Sequence, residues 1–155
     1  MEKIKFIDDL EYKKIMEILP ICCVDILIEK ENKILLLKRN NEPLKGYFWT
    51  PGGRIYKNES STDAVLRIAK QETGLEVEII KKTGSFDFIH NIGKYPDLKN
   101  GIHTISIVFL VKPRDNNQEI SIDKTSEEYK WITKIDNDLH LILKQVLKDS
   151  GIFEK

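Results

Sequence analysis

Net charge is missing from this chain: 25 Lys and Arg residues offset 25 Asp and Glu residues over a length of 155. Without a global field, nothing draws the protein as a whole to nucleic acid or to an anionic membrane, so neither is expected as a partner. An anionic ligand has to be met by a local cluster. Cysteine is equally scarce. Cys22 and Cys23 are neighbours in a strand-like run, so their side chains point to opposite faces and do not bridge, and both are expected to be reduced packing residues. Long apolar runs are absent as well. Ile21 to Val24, with Ile18 and Leu19 ahead of Pro20, is too short to cross a bilayer, and the start MEKIKFIDDLEY lacks the make-up of a secretory signal, which makes the cytoplasm the expected location. No repeat, low-complexity stretch or Pro-, Gly- or Ser-rich linker divides the chain. What remains, 41% hydrophobic and 32% charged residues, suits one core and one globular domain over 1–155.

Periodicity places the elements. Residues 8–19 carry Leu10, Ile15, Ile18 and Leu19 at roughly helical spacing and end at Pro20, which predicts a short amphipathic helix. ICCVDILIEK and KILLLKR flank Glu31-Asn32 and predict a hairpin. Asp25 interrupts the first arm, and a carboxylate among apolar neighbours is costly to bury without partners. After a loop over 40–53, residues 60–73 form the strongest predicted helix: Ser60 and Asp63 have capping spacing, Ala64, Val65, Ile68 and Ala69 make an apolar stripe, and Gly74 supplies a left-handed stop. Strands are predicted at LEVEIIKK, IHTISIVFLVK and EYKWIT. A long surface loop over 90–101 separates the first two, and a last helix spans 138–148. Mixed strands with few helices predict an α/β sandwich.

The spacing Gly53, Glu59, Arg67, Glu72, Gly74, Leu75 resembles the Nudix box, G-x5-E-x7-R-E-U-x-E-E-x-G-U with U a bulky aliphatic residue. The resemblance implies an α/β/α sandwich with a mixed sheet, and a loop–helix–loop that holds Mg²⁺, with Mn²⁺ as an alternative, against a diphosphate. Two motif glutamates are replaced here by Ile68 and Gln71, and only Glu72 is kept. In that respect the chain is similar to the GDP-mannose mannosyl hydrolase branch, as it is in PLKGYFWTPGGR, in the pair Lys38-Arg39 and in EEYKWIT, a likeness running from Pro20 to about Thr133.

Hydrolysis at sugar carbon releases nucleoside diphosphate and asks chiefly for a stabilised leaving group, which one cation and a few Arg side chains supply. Attack at phosphorus favours several carboxylates and more than one metal. By resemblance, Glu72 and the main-chain carbonyl of Gly52 bind the metal, Arg39 holds the diphosphate with Arg54 and Arg67 nearby, Asp25 supports the sugar or developing cation, and His90 lies in a loop where the branch has a histidine. A homodimer is implied in the same way. Where the branch carries a metal-binding Gln and a basic His, this chain has Thr125 and Ser126, and a serine hydroxyl has no useful basicity near neutral pH. Glu127 and Glu128 offer either a substitute base or two solvated charges. Three readings follow: a nucleoside-diphosphate-sugar hydrolase, a pyrophosphohydrolase, and a nucleotide-sugar binding domain without turnover.

Overall fold

A computed structural model describes residues 6–91 and 98–154. Gly93 and Pro96 of the predicted surface loop lie outside them. The elements are α1 (Asp9–Ile18), β1 (Ile21–Lys30), β2 (Lys33–Arg39), β3 (Phe48–Trp49), β4 (Gly52–Arg54), α2 (Ser61–Thr73), β5 (Val77–His90), β6 (Ile102–Pro113), β7 (Ser126–Ile132) and α3 (Leu141–Ser150).

The β1–β2 hairpin forms as its sequence predicts. Glu31 and Asn32 both take positive φ, 53° and 60°, the backbone that a two-residue turn needs if its twist is to match the strands. The sheet runs β3-β2-β1-β6-β5, with β4 on β1 and β7 on β2. β1 and β6 are parallel over Ile21–Ile28, and the other pairings are antiparallel, so the sheet is mixed. On its other side β1 changes partner along its length: Cys23–Asp25 pair with β4, and only Glu29 and Lys30 pair with β2. Asp25 stands at the end of the β4 pairing, next to Ile26, whose N–H meets the carbonyl of Pro51 at 2.9 Å.

Strand alternation then builds two cores. Val24, Ile26, Ile28, Leu35 and Leu37 pack under Ala64, Val65, Ile68 and Ala69 of α2. Leu27, Ile34, Leu36, Val108 and Leu110 pack under Leu143, Val146 and Leu147 of α3. This is the expected α/β/α sandwich. Helix α2 has its predicted limits, with the Ser60 hydroxyl accepting from the Asp63 N–H at 3.1 Å and Gly74 at φ 73°.

Three local expectations are corrected. α1 buries Met16, with Tyr12 and Ile15 packed beside it, whereas Leu10, Ile18 and Leu19 are exposed. The apolar spacing is therefore not the docked face, because a helix only ten residues long is oriented by what it meets. The 40–53 loop contains β3 and β4, too short to show a period of two. β5 continues to His90, eight residues past the predicted LEVEIIKK strand, because register shifts at Ile79/Lys81 and Lys82/Gly84 break the alternation on which the reading relied. Among the described residues no helix is long and apolar enough to cross a membrane.

Candidate active site

The site is built where β1 changes partner. Asp25 is buried at 8% exposure, and three neutral donors converge on it. Trp49 Nε1–H and the Thr50 hydroxyl each donate to Oδ1 at 2.8 Å, and the Ser106 hydroxyl donates to Oδ2. Burial raises its pKa, opposed by these hydrogen bonds and by the positive charge of Arg39. The partners that a buried carboxylate requires thus come from β3, its following loop and β6. Trp49 spends its indole N–H on Asp25 and its ring on Phe86, Phe88 and His140, so it is a core residue rather than a free stacking platform.

Gly52 pairs with Asp25 across β4, and a side chain there would put Cβ 2.7 Å from the Val24 carbonyl and 3.1 Å from Asp25 Oδ1. Only glycine lets the two strands approach this closely. Gly52→Ala is expected to cost about 1–3 kcal/mol, the scale of an overpacked interior position, read as a lowered midpoint in urea unfolding.

Glu72, in the last turn of α2, accepts the Gly52 N–H at 3.2 Å. Its pKa is pushed up to about 8, by burial above all and then by the negative charges of Asp123 and Asp25, with the Gly52 N–H and Arg39 pulling the other way. The other motif positions are elsewhere: Ile68 is 3% exposed in the core below Gly53, and Gln71 is exposed. Among the described residues no three His, Cys, Asp or Glu side chains are grouped so as to hold a cation by themselves. An all-oxygen set of one carboxylate and a main-chain group suits a hard cation that keeps its waters and takes further ligands from a substrate phosphate.

Arg39 ends β2 with Nε donating to the Pro43 carbonyl at 2.7 Å. Its pKa is lowered by burial, against the raising effect of Glu72, Asp25 and Glu42, so it lies in the field of all three carboxylates. Arg39, Asp25, Gly52, Gly53 and Arg54 line one cavity of about 270 Å³, closed by Tyr12 and Met16 of α1 and by Phe86, Phe88 and Thr104 of β5 and β6. Arg54 lies over the rings of Tyr12 and Tyr56, at 5.7 and 4.9 Å from their centroids. Cys23 also lines the cavity, its thiol pushed up to about 12 chiefly by burial, whereas Cys22 is exposed, which corrects its reading as a packing residue.

Three of the expected site residues do not line this cavity: Glu72, which meets its wall through the Gly52 N–H, and Arg67 and His90, which stand apart from it. Arg67 is committed to Glu59, whose side chain is 1% exposed: Nε to Oε1 at 2.7 Å and Nη2 to Oε2 at 2.8 Å, with Nη2 also on the Arg54 carbonyl at 3.0 Å. The pair fastens the backbone that leads into α2 rather than presenting a cation to ligand. His90 stacks on Phe88, 5.5 Å between centroids, and acts electrostatically on His140 rather than on the carboxylates. Glu127 and Glu128 take the solvated alternative, flanking Lys38 at 3.6 and 3.2 Å on the surface. Asp123, which sequence reasoning missed, is the residue of that region whose charge reaches Glu72. Its only sequence signal is a carboxylate three residues ahead of the strand.

Comparison with known proteins follows the same outline. The family model of the NUDIX domain matches residues 20–150. The chain is 34% identical over 114 residues to the low-salt glycan biosynthesis protein Agl8 of Haloferax volcanii, covering 74% of this chain and 72% of that one. It is 42% identical over 92 residues to an ADP-ribose pyrophosphatase of Methanocaldococcus jannaschii, covering 59% of this chain and half of that protein. Among solved structures, a MutT NUDIX hydrolase from Burkholderia pseudomallei superposes with a TM-score of 0.70 at 24% identity over 84% of this chain and 98% of that one. The MutT protein of Methanosarcina mazei Go1 gives 0.71 at 23% over 88% and 96%. At such identities these two likenesses bear on the fold alone.

Proposed function

The chain belongs to the NUDIX family, and from that premise we propose that it is a Mg²⁺-dependent hydrolase of a nucleoside-diphosphate sugar, in which water attacks the anomeric carbon and nucleoside diphosphate departs. The observation that carries this reading is the poverty of α2. It brings one carboxylate, Glu72, to the N–H of Gly52 behind the cavity wall, while Ile68 is in the core and Gln71 faces outward. A site that activates water on phosphorus favours a cluster of metal-binding carboxylates, whereas displacement at carbon needs the leaving diphosphate neutralised.

In this reading Glu72 and the Gly52 main chain hold the cation, whose contribution when bound is to offset charge on the departing diphosphate. Arg39 adds charge-assisted hydrogen bonds to the same group. Asp25, at the cavity wall and held by three donors, faces the sugar. Arg54, with its guanidinium over two tyrosines, is the second substrate cation, and Arg67 is reassigned to support its backbone. A cytoplasmic homodimer belongs to the same reading and is tested by sedimentation. The sugar of the similar mannosyl hydrolases, mannose, is the first to try.

A pyrophosphohydrolase is the second reading, favoured by the 42% identity to an ADP-ribose pyrophosphatase. Phosphorus NMR of a nucleotide-sugar panel with Mg²⁺ separates the two: nucleoside diphosphate with free sugar is expected, and nucleoside monophosphate with sugar phosphate would replace the first reading by the second. Arg39→Ala is expected to weaken nucleoside-diphosphate binding or transition-state stabilisation by about 1.5–3 kcal/mol, the scale of a hydrogen bond to a charged group. Calorimetry and kcat/KM check it, and unchanged values would return Arg39 to a structural strand end.

A further inference from the structure

The Glu59–Arg67 pair fastens more than backbone. The Glu59 carboxylate takes Arg67 through both oxygens and also accepts the Tyr56 N–H at 2.9 Å, while the Glu59 N–H donates back to the Tyr56 carbonyl at 3.1 Å. Arg67 in turn lies over the Tyr56 ring, its guanidinium carbon 3.8 Å from the centroid. Tyr56 is therefore held twice, by its own main chain and by a cation that a buried carboxylate orients. Arg54 continues the stack, 4.9 Å from the same ring and 5.7 Å from the ring of Tyr12, which enters from α1. The Arg54 carbonyl accepts from Arg67 Nη2 at 3.0 Å, so its main chain and its side chain meet the same block. Tyr12 and Arg54 line the cavity, whereas Tyr56 and Arg67 lie behind it.

We propose that Tyr56 and Tyr12 are the positioning residues of Arg54, holding its guanidinium in place for a diphosphate and thereby setting the affinity of the site for that group; the proposal rests on the reading of Arg54 as a substrate cation. A long side chain that is ordered only when ligand arrives gives up its rotamer freedom at that moment, and one already held has little left to lose. The two tyrosines supply that preorganisation in a form suited to an anion site. A ring face engages the flat of a guanidinium, whereas phosphate oxygens are met by its N–H edge, so stacking orients Arg54 without competing for the atoms that a diphosphate takes. Arg39, the other cation of the cavity, is held differently, through Nε on the Pro43 carbonyl. The motif pair Glu59 and Arg67 thus reaches the ligand at one remove: Glu59 fixes Arg67, both fix Tyr56, and Tyr56 with Tyr12 fixes Arg54.

The test is a double-mutant cycle on binding, read by calorimetry with Mg²⁺ and inorganic pyrophosphate, a probe that carries the diphosphate and is independent of base, sugar and turnover. Tyr56→Leu is expected to weaken pyrophosphate binding about five- to tenfold, the scale of one lost cation–π contact. Tyr56→Phe recovers the affinity, since the ring and not the hydroxyl makes the contact. In an Arg54→Ala background, Tyr56→Leu is expected to change affinity by less than about twofold, because the ring then has no guanidinium to hold. Tyr12→Leu, on a helix that buries only Met16 among its described residues, gives a second cycle that does not depend on how well Tyr56→Leu folds, and the same pattern is expected there. Losses that simply add in the double variants overturn the proposal, as does a Tyr56→Phe loss equal to that of Tyr56→Leu. If Arg54→Ala binds pyrophosphate as the wild type does, the substrate-cation reading of Arg54 falls and takes this proposal with it. If Arg54→Ala weakens binding while both leucine variants bind normally, this proposal alone falls.

Discussion

Glu72→Gln abolishes Mg²⁺-dependent turnover, by about a thousandfold or more, and leaves a protein that is more stable above neutral pH than the wild type. Both effects come from the same placement. Glu72 is the carboxylate that the motif helix brings to the Gly52 N–H, at the wall of the cavity, so an uncharged amide removes the charge a hard cation needs. The stability effect follows from linkage. With a folded pKa of about 8 against an ordinary 4.5, the folded state holds a proton that the unfolded chain has lost between those values. Stability is then full below about pH 4.5 and declines as pH rises through 8. Because Glu72 is half-buried and water screens part of its interaction, the decline amounts to about 1–3 kcal/mol. Gln does not titrate, so this portion of the pH slope disappears. Binding a divalent cation requires ionised Glu72, so Mg²⁺ raises the melting temperature of the wild type more at pH 8 than at pH 5.5, and does so little in the variant. Melting curves at the two pH values, with Mg²⁺ and with chelator, give the answer. Equal slopes in both proteins would mean that Glu72 is not the titrating group, and full activity in the variant would remove it from the site.

Asp25→Ala should unfold far more easily than wild type, by about 3–5 kcal/mol, or a melting temperature lower by roughly 10 °C. Its carboxylate is the shared acceptor for the Trp49 indole and for the Thr50 and Ser106 hydroxyls, all in the interior. Deleting it leaves these donors without that acceptor and opens a void at the partner change in β1. The hydroxyls can rotate to other acceptors and the indole cannot, so Trp49 should report the loss as a change in fluorescence. Asp25→Asn keeps one oxygen and the volume, and Ser106 can turn to accept from the amide, so less than half of the loss is expected there. Activity is the further discriminator. If Asp25 stabilises positive charge developing on the sugar, Asp25→Asn stays folded and still loses about 100-fold in kcat; a folded, fully active Asp25→Asn would confine the residue to holding β3 and the loop in place. Near-wild-type stability in Asp25→Ala would contradict the hydrogen-bond account altogether.

How much of this was legible in the chain varies with the range of the interaction involved. The ends of α2, the β1–β2 turn and the glycine stop at residue 74 were readable because each is decided within four residues: a hydroxyl three positions from an N–H, two residues able to take positive φ, a position without Cβ. The two core faces followed from periods of 2 and 3.6. The family also came from spacing, since Glu59 and Arg67, eight residues apart, meet as an ion pair whenever that loop and helix form.

What the linear sequence did not settle is every question of which side chain faces which. Arg39 and Arg67 are both arginines in a phosphate-binding frame, and only packing makes one a wall of the cavity and the other the internal partner of Glu59. Glu127 and Glu128 follow directly on the position of the missing histidine, yet strand pairing of β7 with β2 turns them to Lys38. Asp123 is brought toward Glu72 by two backbone hydrogen bonds to elements 48 and 85 residues away, Ser121 to Thr73 and Thr125 to Asn40. The sequence by itself therefore determined the family, the helix limits and the carboxylate kept on the motif helix, because those rest on local spacing. The tertiary structure alone decided which carboxylates share a field and which arginine is available, because Coulomb and hydrogen-bond energies depend on distances of a few ångströms that chain separation does not encode.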